Sequence, residues 1–162
     1  FDIYISESLT IDAGRVLALS AFLFLYFVRF ERLEPRTLIL LLVSIIPLAI
    51  VSILFEIPLE RTLILLLFTA LIEEILLRGV LFHLLMKKLN AIKTIIGSSL
   101  FFTIVHPAVY SDYLYAVVVL LMGIILGSLY IVFLKKSRQL AIVIATIVHT
   151  FFILLGIQLG LI

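Results

Sequence analysis

Long apolar stretches separated by short polar loops make up most of this 162-residue chain, and they limit what it can fold into. A helix needs about 20 mainly apolar residues to cross a bilayer. The composition agrees with such helices, because 65% of the residues are hydrophobic and 14% are charged, whereas a soluble domain is roughly half apolar and about a quarter charged. The sequence therefore predicts an all-α, polytopic membrane helical bundle of about six transmembrane helices, with residues 1–162 forming a single domain.

Charged or proline-containing loops separate the predicted spans. These spans are approximately Ala13–Phe30, Thr37–Phe55, Thr62–Met86, Thr94–Val109, Leu114–Leu134 and Leu140–Leu159. Residues 1–12 are acidic and are expected to lie outside the membrane or at its surface. Proline disfavours helical geometry in the residue before it, so a break is expected at His106, which precedes Pro107.

Lysine and arginine are distributed unequally between the two ends of these spans. One side has nine of them: Arg29, Arg32, Arg36, Lys87, Lys88, Lys93, Lys135, Lys136 and Arg138. The other side has only Arg15 and Arg61. Because cytoplasmic loops are enriched in Lys and Arg, we expect the first, third and fifth loops to face the cytoplasm and both termini to face out.

The predicted third span contains three charged residues, Glu73, Glu74 and Arg78, in an otherwise apolar run. A charge near the bilayer centre costs several kcal/mol or more, so charged residues within a span indicate a functional site by default. Glu74 and Arg78 are four residues apart and share a helix face, which predicts an ion pair between them. Glu73 points about 100° away from Glu74 and remains available for another role.

Two histidines in other spans lie at a depth similar to that of Glu73. Counted from the nearest cytoplasmic Lys or Arg, Glu73 is 14 residues into its span, His106 is 13 and His149 is 11. At about 1.5 Å per residue these positions are roughly 16–21 Å deep. Because these three residues lie at a similar depth on three different predicted helices, we expect them to form a common site. Either histidine alone would ordinarily be a hydrogen-bonded packing residue, and Glu74–Arg78 could be purely structural.

The chemistry of these side chains favours hydrolysis by an activated water. Glu73 could act as a general base, His106 could position the water, and His149 could donate a hydrogen bond to a developing oxyanion. The chain has no cysteine, so a thiolate nucleophile is excluded. His83, nearer the cytoplasm, is interpreted as structural or interfacial.

Other polar and small residues have structural interpretations. Tyr110, Tyr113 and Tyr115 are typical of the aromatic belt at a membrane interface. Gly123 and Gly127 form a small-residue surface that lets two helices approach closely.

The ordered set of motifs resembles the CPBP family, which comprises the CAAX proteases and bacteriocin-processing enzymes, also called Abi. Glu73-Glu74-x-x-x-Arg78-Gly79 looks like its first motif, and Phe102-x-x-x-His106 looks like its second. Leu120-x-x-Gly123-x-x-x-Gly127-Ser128 is similar to the family's glycine-containing segment, and His149 falls where its last histidine stands. The resemblance covers residues 62–156.

This resemblance implies an intramembrane endopeptidase with catalytic residues Glu73, Glu74, His106 and His149, supported by Arg78 and Phe102. It assigns the base to Glu73, the activating partner to His106 and the oxyanion side to His149. The family usually has Asn or Asp four residues after the last histidine, and here that residue is Ile153. Because the isoleucine side chain donates no hydrogen bond, the oxyanion would have to be stabilised by His149 alone or by another donor.

The implied partners are the lipid bilayer and a hydrophobic or lipidated peptide substrate, with no nucleic acid. Candidate substrates are a prenylated C-terminus, a bacteriocin leader, a signalling peptide and a sorting segment. The expected location is a prokaryotic plasma membrane, as a multi-pass protein.

Three alternatives remain open at this point. A catalytically impaired peptide-binding or immunity protein could have the same fold, and an ion pathway could use the same intramembrane residues. The third alternative is a metal site. No cofactor or metal is expected, but Glu73, His106 and His149 are also residue types that bind zinc.

Overall fold

The computed structural model describes residues 2–6, 9–12 and 34–161 of the chain. The first predicted span, 13–30, lies outside the described residues. Strands β1 (Asp2–Ser6) and β2 (Leu9–Asp12) form a two-stranded antiparallel hairpin. Every regular element within 34–161 is helical. The all-α prediction therefore describes residues 34–161, to which the hairpin is a small addition.

Five helices form the described bundle. Helix α1 is Pro35–Leu54, α3 is Ala91–Ile104, α4 is Tyr113–Leu134 and α5 is Arg138–Gln158. Helix α2 covers 59–86 as consecutive segments, α-helical over Leu59–Ile64, Leu71–Glu74 and His83–Met86 and π-helical over Leu65–Ala70 and Ile75–Phe82.

Within the described residues, α1, α4 and α5 are each long and apolar enough to cross a membrane. Helix α2 consists of shorter segments, and α3 is a shorter apolar helix of 14 residues. The predicted number of six spans is therefore not confirmed.

Polar side chains determine where three of the helices begin. The side chains of Asn90, Asp112 and Ser137 accept hydrogen bonds from the first-turn backbone N–H groups of α3, α4 and α5, and such capping satisfies donors that the helix itself cannot pair. Helix α3 ends at Ile104, so the predicted span to Val109 was too long. His106 has extended backbone, with φ −93° and ψ 109°, which confirms the predicted break.

The packing buries polar side chains together with hydrophobic ones and leaves many large aliphatic side chains exposed. Helix α4 packs between α3 and α5, and α5 also packs on α1 and α2. The fully buried set includes several polar residues, such as Ser52, Thr62, Glu74, Arg78, Ser99, Thr146 and His149. Large aliphatic residues, including Ile39, Ile46, Ile53, Ile92 and Val132, are exposed. This distribution is typical of a helix bundle in lipid, where small and polar residues hold the helices together.

The close approach predicted at Gly123 and Gly127 is confirmed. A Cβ atom at Gly123 would lie 3.0 Å from the Cβ of Ser99 and 3.1 Å from its Cα. At Gly127 the nearest side-chain atom, from Ile95, would be 3.4 Å away. The backbones of α3 and α4 therefore approach more closely at Gly123 than at Gly127.

We predict that Gly123→Ala destabilises the bundle by roughly 1–3 kcal/mol, because overpacking a tight contact forces backbone shifts. Gly97→Ala is the matched control, since its Cβ would meet only Leu85 Cδ1 at 3.9 Å. The free energy of unfolding in a denaturing detergent series measures both variants. Equal stabilities for the two would contradict the assigned contact.

Candidate active site

The conformation of α2 determines which of its charged groups are buried. Glu73 and Glu74 end the α-helical segment Leu71–Glu74, and Arg78 lies in the following π-helical segment. Segments of π-helix are rare and occur frequently at functional sites. Glu74 and Arg78 are fully buried, whereas the Glu73 side chain is 31% exposed. One helix thus directs a charge pair inward and leaves the neighbouring Glu73 side chain partly exposed, with its Oε2 atom buried.

Arg78 connects α2 to α4. Its Nη1 donates to Glu74 Oε1 over 3.0 Å, and its Nη2 donates to the Gly123 carbonyl oxygen over 3.2 Å. The predicted Glu74–Arg78 ion pair is therefore confirmed. Because this ion pair is buried, substitution of either partner is expected to destabilise the protein, since it would leave an uncompensated charge inside.

His149 on α5 contacts both glutamates of α2. Its Nδ1 lies 2.9 Å from Glu74 Oε1, and its Nε2 lies 3.8 Å from Glu73 Oε2. Since a carboxylate accepts, we assign a proton to Nδ1, which leaves Nε2 facing Glu73. The Glu74–Arg78 pair is therefore not self-contained, because Glu74 also orients His149.

His106 approaches Glu73 from the segment that follows α3. Its Nδ1 lies 2.7 Å from the Phe102 carbonyl oxygen, and its Nε2 lies 4.0 Å from Glu73 Oε2. The carbonyl can only accept, so the proton of this imidazole is again assigned to Nδ1. The ring of Phe102 is fully buried, with its centroid 4.4 Å from that of His106 and 5.5 Å from that of His149. The Arg78 guanidinium carbon lies 5.2 Å from the same centroid.

The structure brings Glu73, His106 and His149 together, as their matched depth in the sequence predicted. Distances of 3.8 Å and 4.0 Å are too long for direct hydrogen bonds and suit a bridging water. Among residues 34–161, Glu73 Oε2 has no hydrogen-bond partner. The convergence is a geometric fact, while the catalytic roles of these residues, including Glu74, stay predictions.

Two cavities meet at this group. The larger, about 600 Å³, lies between α2 and α3 and is lined mainly by apolar side chains that include Leu76, Leu81 and Phe101. The smaller, about 290 Å³, is lined from α2, α4 and α5 and contains His149. Glu73 and His106 line both cavities. They therefore stand at the junction of an apolar groove and a smaller pocket that also contains Tyr115 and His149.

Tyr115 lines this site, although its sequence position predicted an interface residue. Tyr110 and Tyr113 are 73% and 84% exposed, as expected of interface residues. Tyr115 is half-buried and lines the smaller cavity with Glu73. Residues two apart on a helix point about 200° apart, so the spacing of Tyr113 and Tyr115 could have shown that they do not share a face.

Over residues 34–161, no group of three or more His, Cys, Asp or Glu side chains is arranged to hold a metal ion. Each histidine of the site uses Nδ1 for a protein acceptor. The described side chains thus form an acid–base group in which His149 is hydrogen-bonded to Glu74 and His106 to the Phe102 carbonyl oxygen.

Comparison with known proteins gives one finding. The family model described as "Type II CAAX prenyl endopeptidase Rce1-like" matches residues 40–155, which include every residue of the site described above. No curated protein and no solved structure matches the chain.

Proposed function

Because the chain belongs to the type II CAAX prenyl endopeptidase Rce1-like family, we propose that it is an intramembrane endopeptidase that uses a glutamate-activated water. Its family, and the three long apolar helices among the described residues, identify it as an integral membrane protein. The observation that supports the proposal best is the position of Glu73 Oε2, which lies 3.8 Å and 4.0 Å from the Nε2 atoms of two histidines.

The charged side chains of the site favour one additional proton, which is placed on His149. With Glu73, Glu74 and Arg78 ionised, the group carries one net negative charge, and burial of uncompensated charge is unfavourable. A proton on His149 Nε2 neutralises the group. The resulting imidazolium is stabilised by Glu74 at Nδ1, as a buried carboxylate stabilises the histidine of a serine-protease triad.

In this protonation state the side chains divide the work of hydrolysis. A water between Glu73 and His106 donates one hydrogen to Glu73 Oε2 and the other to His106 Nε2, so its lone pair faces the substrate carbonyl. As the water oxygen bonds to the carbonyl carbon, its proton moves to Glu73. The N–H of His149 donates to the oxyanion. Glu73 then protonates the leaving nitrogen, and the C–N bond breaks to give an amine and a carboxylic acid.

Phe102 supports both histidines in this scheme. Its carbonyl oxygen keeps the His106 proton on Nδ1, which leaves Nε2 able to accept from water. Its ring packs edge-on against both imidazoles, so neither ring can rotate freely. The role is one of positioning, since Phe102 has no group that takes part in proton transfer.

The apolar cavity supports a hydrophobic or lipidated peptide as the substrate. Leu76, Leu84, Phe101 and Val105 line it and are themselves exposed at the bundle surface, where lipid would surround them. A chain that entered from the bilayer would reach Glu73 at the cavity's polar end. We also propose that the protein lies in a prokaryotic plasma membrane, with the loops between α2 and α3 and between α4 and α5 facing the cytoplasm.

Cleavage by the purified protein in liposomes tests the proposal. We expect hydrolysis of a farnesylated C-terminal peptide, with one ¹⁸O atom from labelled water in the new carboxyl group, as measured by mass spectrometry. Activity is expected to survive EDTA and 1,10-phenanthroline. The unprenylated peptide is the control for lipid recognition. Loss of cleavage in chelator, restored by zinc, would contradict the metal-independent mechanism.

A bulky residue in the groove is expected to weaken substrate binding. Leu76→Trp would occupy part of the cavity and should raise KM for the farnesylated peptide about 10-fold, equivalent to about 1.4 kcal/mol, with little change in kcat. Leu121→Trp is the matched control, because Leu121 is exposed on α4 and does not line either cavity. Steady-state kinetics distinguish the two. Equal KM values would place the substrate elsewhere.

Ile153 favours a second candidate function, a peptide-binding or immunity protein with impaired catalysis. This side chain lines the smaller cavity where the family pattern has an amide or acid. If this function is correct, the double variant Glu73→Ala, His106→Ala should bind peptide and retain the cellular phenotype of the wild type. Loss of the phenotype with binding intact would favour the protease.

A further inference from the structure

The smaller cavity has an apolar residue where hydrolysis calls for a hydrogen-bond donor. Ile153 stands one helical turn after His149, and both side chains line that cavity. In the proposed mechanism His149 has one N–H directed at the oxyanion, since its other N–H is bonded to Glu74. Oxyanion sites in acyl transfer commonly use more than one donor. A second donor would therefore have to come from another element.

Tyr115 is placed to be that donor. It lines the same cavity as Glu73, His149 and Ile153 but comes from α4 rather than from α2 or α5. Its ring packs against the buried cluster of Leu77, Phe102 and Val119. Its phenol and the Glu73 carboxylate are close enough to interact electrostatically.

The backbone of Tyr115 is also fixed. Its N–H donates to the Asp112 side chain over 3.0 Å in the first turn of α4. The phenol O–H has no hydrogen-bond partner among residues 34–161. A positioned donor that is not used within the protein is available to a substrate.

Thr69 is the other hydroxyl that lines this cavity, and its chemistry makes it the weaker candidate. A phenol, with a pKa of about 10, is more acidic than an aliphatic hydroxyl and is thus the stronger hydrogen-bond donor. Tyrosine is an established type of oxyanion donor in enzymes.

We propose that Tyr115 is a further catalytic residue, whose phenol O–H donates to the carbonyl oxygen of the scissile bond and takes the place of the side-chain donor missing at Ile153. This inference rests on the proposed peptidase function. The phenol keeps its proton throughout, so the step adds one hydrogen bond and changes no covalent bond. The carbonyl oxygen then lies between Tyr115 on α4 and His149 on α5, while Glu73 on α2 delivers the water.

Kinetics of three variants test the inference. Tyr115→Phe is expected to lower kcat by about 10²–10³-fold, as loss of one oxyanion donor does, and to leave KM within about twofold. Thr69→Val, the matched control, should stay within about threefold of the wild type. Adding Ile153→Asn to Tyr115→Phe should recover at least about tenfold in kcat. A Tyr115→Phe enzyme that keeps more than about a third of the wild-type kcat overturns the inference.

A binding measurement separates this inference from the proposed function. A peptide phosphinate that mimics the tetrahedral intermediate is compared with the parent peptide on the Glu73→Gln background, where turnover is blocked. Tyr115→Phe should weaken the phosphinate at least about tenfold more than the parent peptide. An equal loss for both ligands overturns the oxyanion role. If Glu73→Gln cleaves the peptide as fast as the wild type, the glutamate mechanism is refuted instead. The ratio of phosphinate affinity to peptide affinity then still tests Tyr115.

Discussion

Replacing Glu73 by Gln is expected to reduce kcat by about 10²–10⁴-fold, the range associated with a general base. Gln retains the size and hydrogen bonding of the side chain but cannot take a proton from water. Substrate binding should be nearly unchanged, because the groove is lined mainly by apolar residues. Steady-state cleavage of the farnesylated peptide in liposomes measures the loss, and thermal unfolding verifies that the variant is folded.

Glu60→Gln is the matched control for that change. Glu60 lies near the start of the same helix, α2, and is exposed, so its replacement removes an equal charge without touching the site. Its kcat should remain within about twofold of the wild type. If Glu73→Gln also retained full activity, Glu73 would not be the base, and the structure describes no other carboxylate that lies between both imidazoles.

Replacing Arg78 by Met is expected to destabilise the protein by about 3–5 kcal/mol, because removing one partner of a buried ion pair leaves the other charge uncompensated. Arg78 is fully buried, and its two contacts hold Glu74 on α2 and the Gly123 carbonyl on α4. Its loss also leaves that carbonyl without the Arg78 donor. The free energy of unfolding in a denaturing detergent series measures the effect.

The double variant Glu74→Gln, Arg78→Met tests whether the pair itself is responsible. Since removing both charges avoids the uncompensated carboxylate, the double variant should be more stable than Arg78→Met alone. Arg61→Met is the matched control on α2, as Arg61 is only half-buried near the start of the helix, and it should change stability by less than about 1 kcal/mol. If the stability changes of the two single substitutions simply added in the double variant, the coupling between Glu74 and Arg78 would be contradicted.

The site was predictable in part because intramembrane charges are expensive and therefore rare. Glu73, His106 and His149 were identified by that cost and by their matched depth, and the structure places Glu73 Oε2 within 4.0 Å of both Nε2 atoms. The Glu74–Arg78 pair followed from spacing on one helix. Gly123 was identified as a packing surface because a small residue is needed where backbones approach.

Other features could not be predicted because they depend on how separate helices are rotated against each other. The bond from His149 to Glu74 joins residues 75 apart in the chain. Arg78 also donates to the backbone carbonyl oxygen of Gly123. Because every residue has such a carbonyl, no residue type in the sequence marks it as the acceptor. Tyr115 was assigned to the interface with its neighbours, and only the packing of α4 shows that it lines the site.

Sequence alone determined the helical character of residues 34–161, the break at His106 and the charged and histidine side chains of the site, because hydropathy, proline geometry and the cost of buried charge act locally. Tertiary structure decided which nitrogen faces which carboxylate, that two cavities meet at Glu73 and that Tyr115 and Ile153 line the same cavity. Those features depend on contacts between helices at ångström precision. The apolar pattern of a span indicates that a helix forms, but it leaves the rotation and depth of that helix to its neighbours.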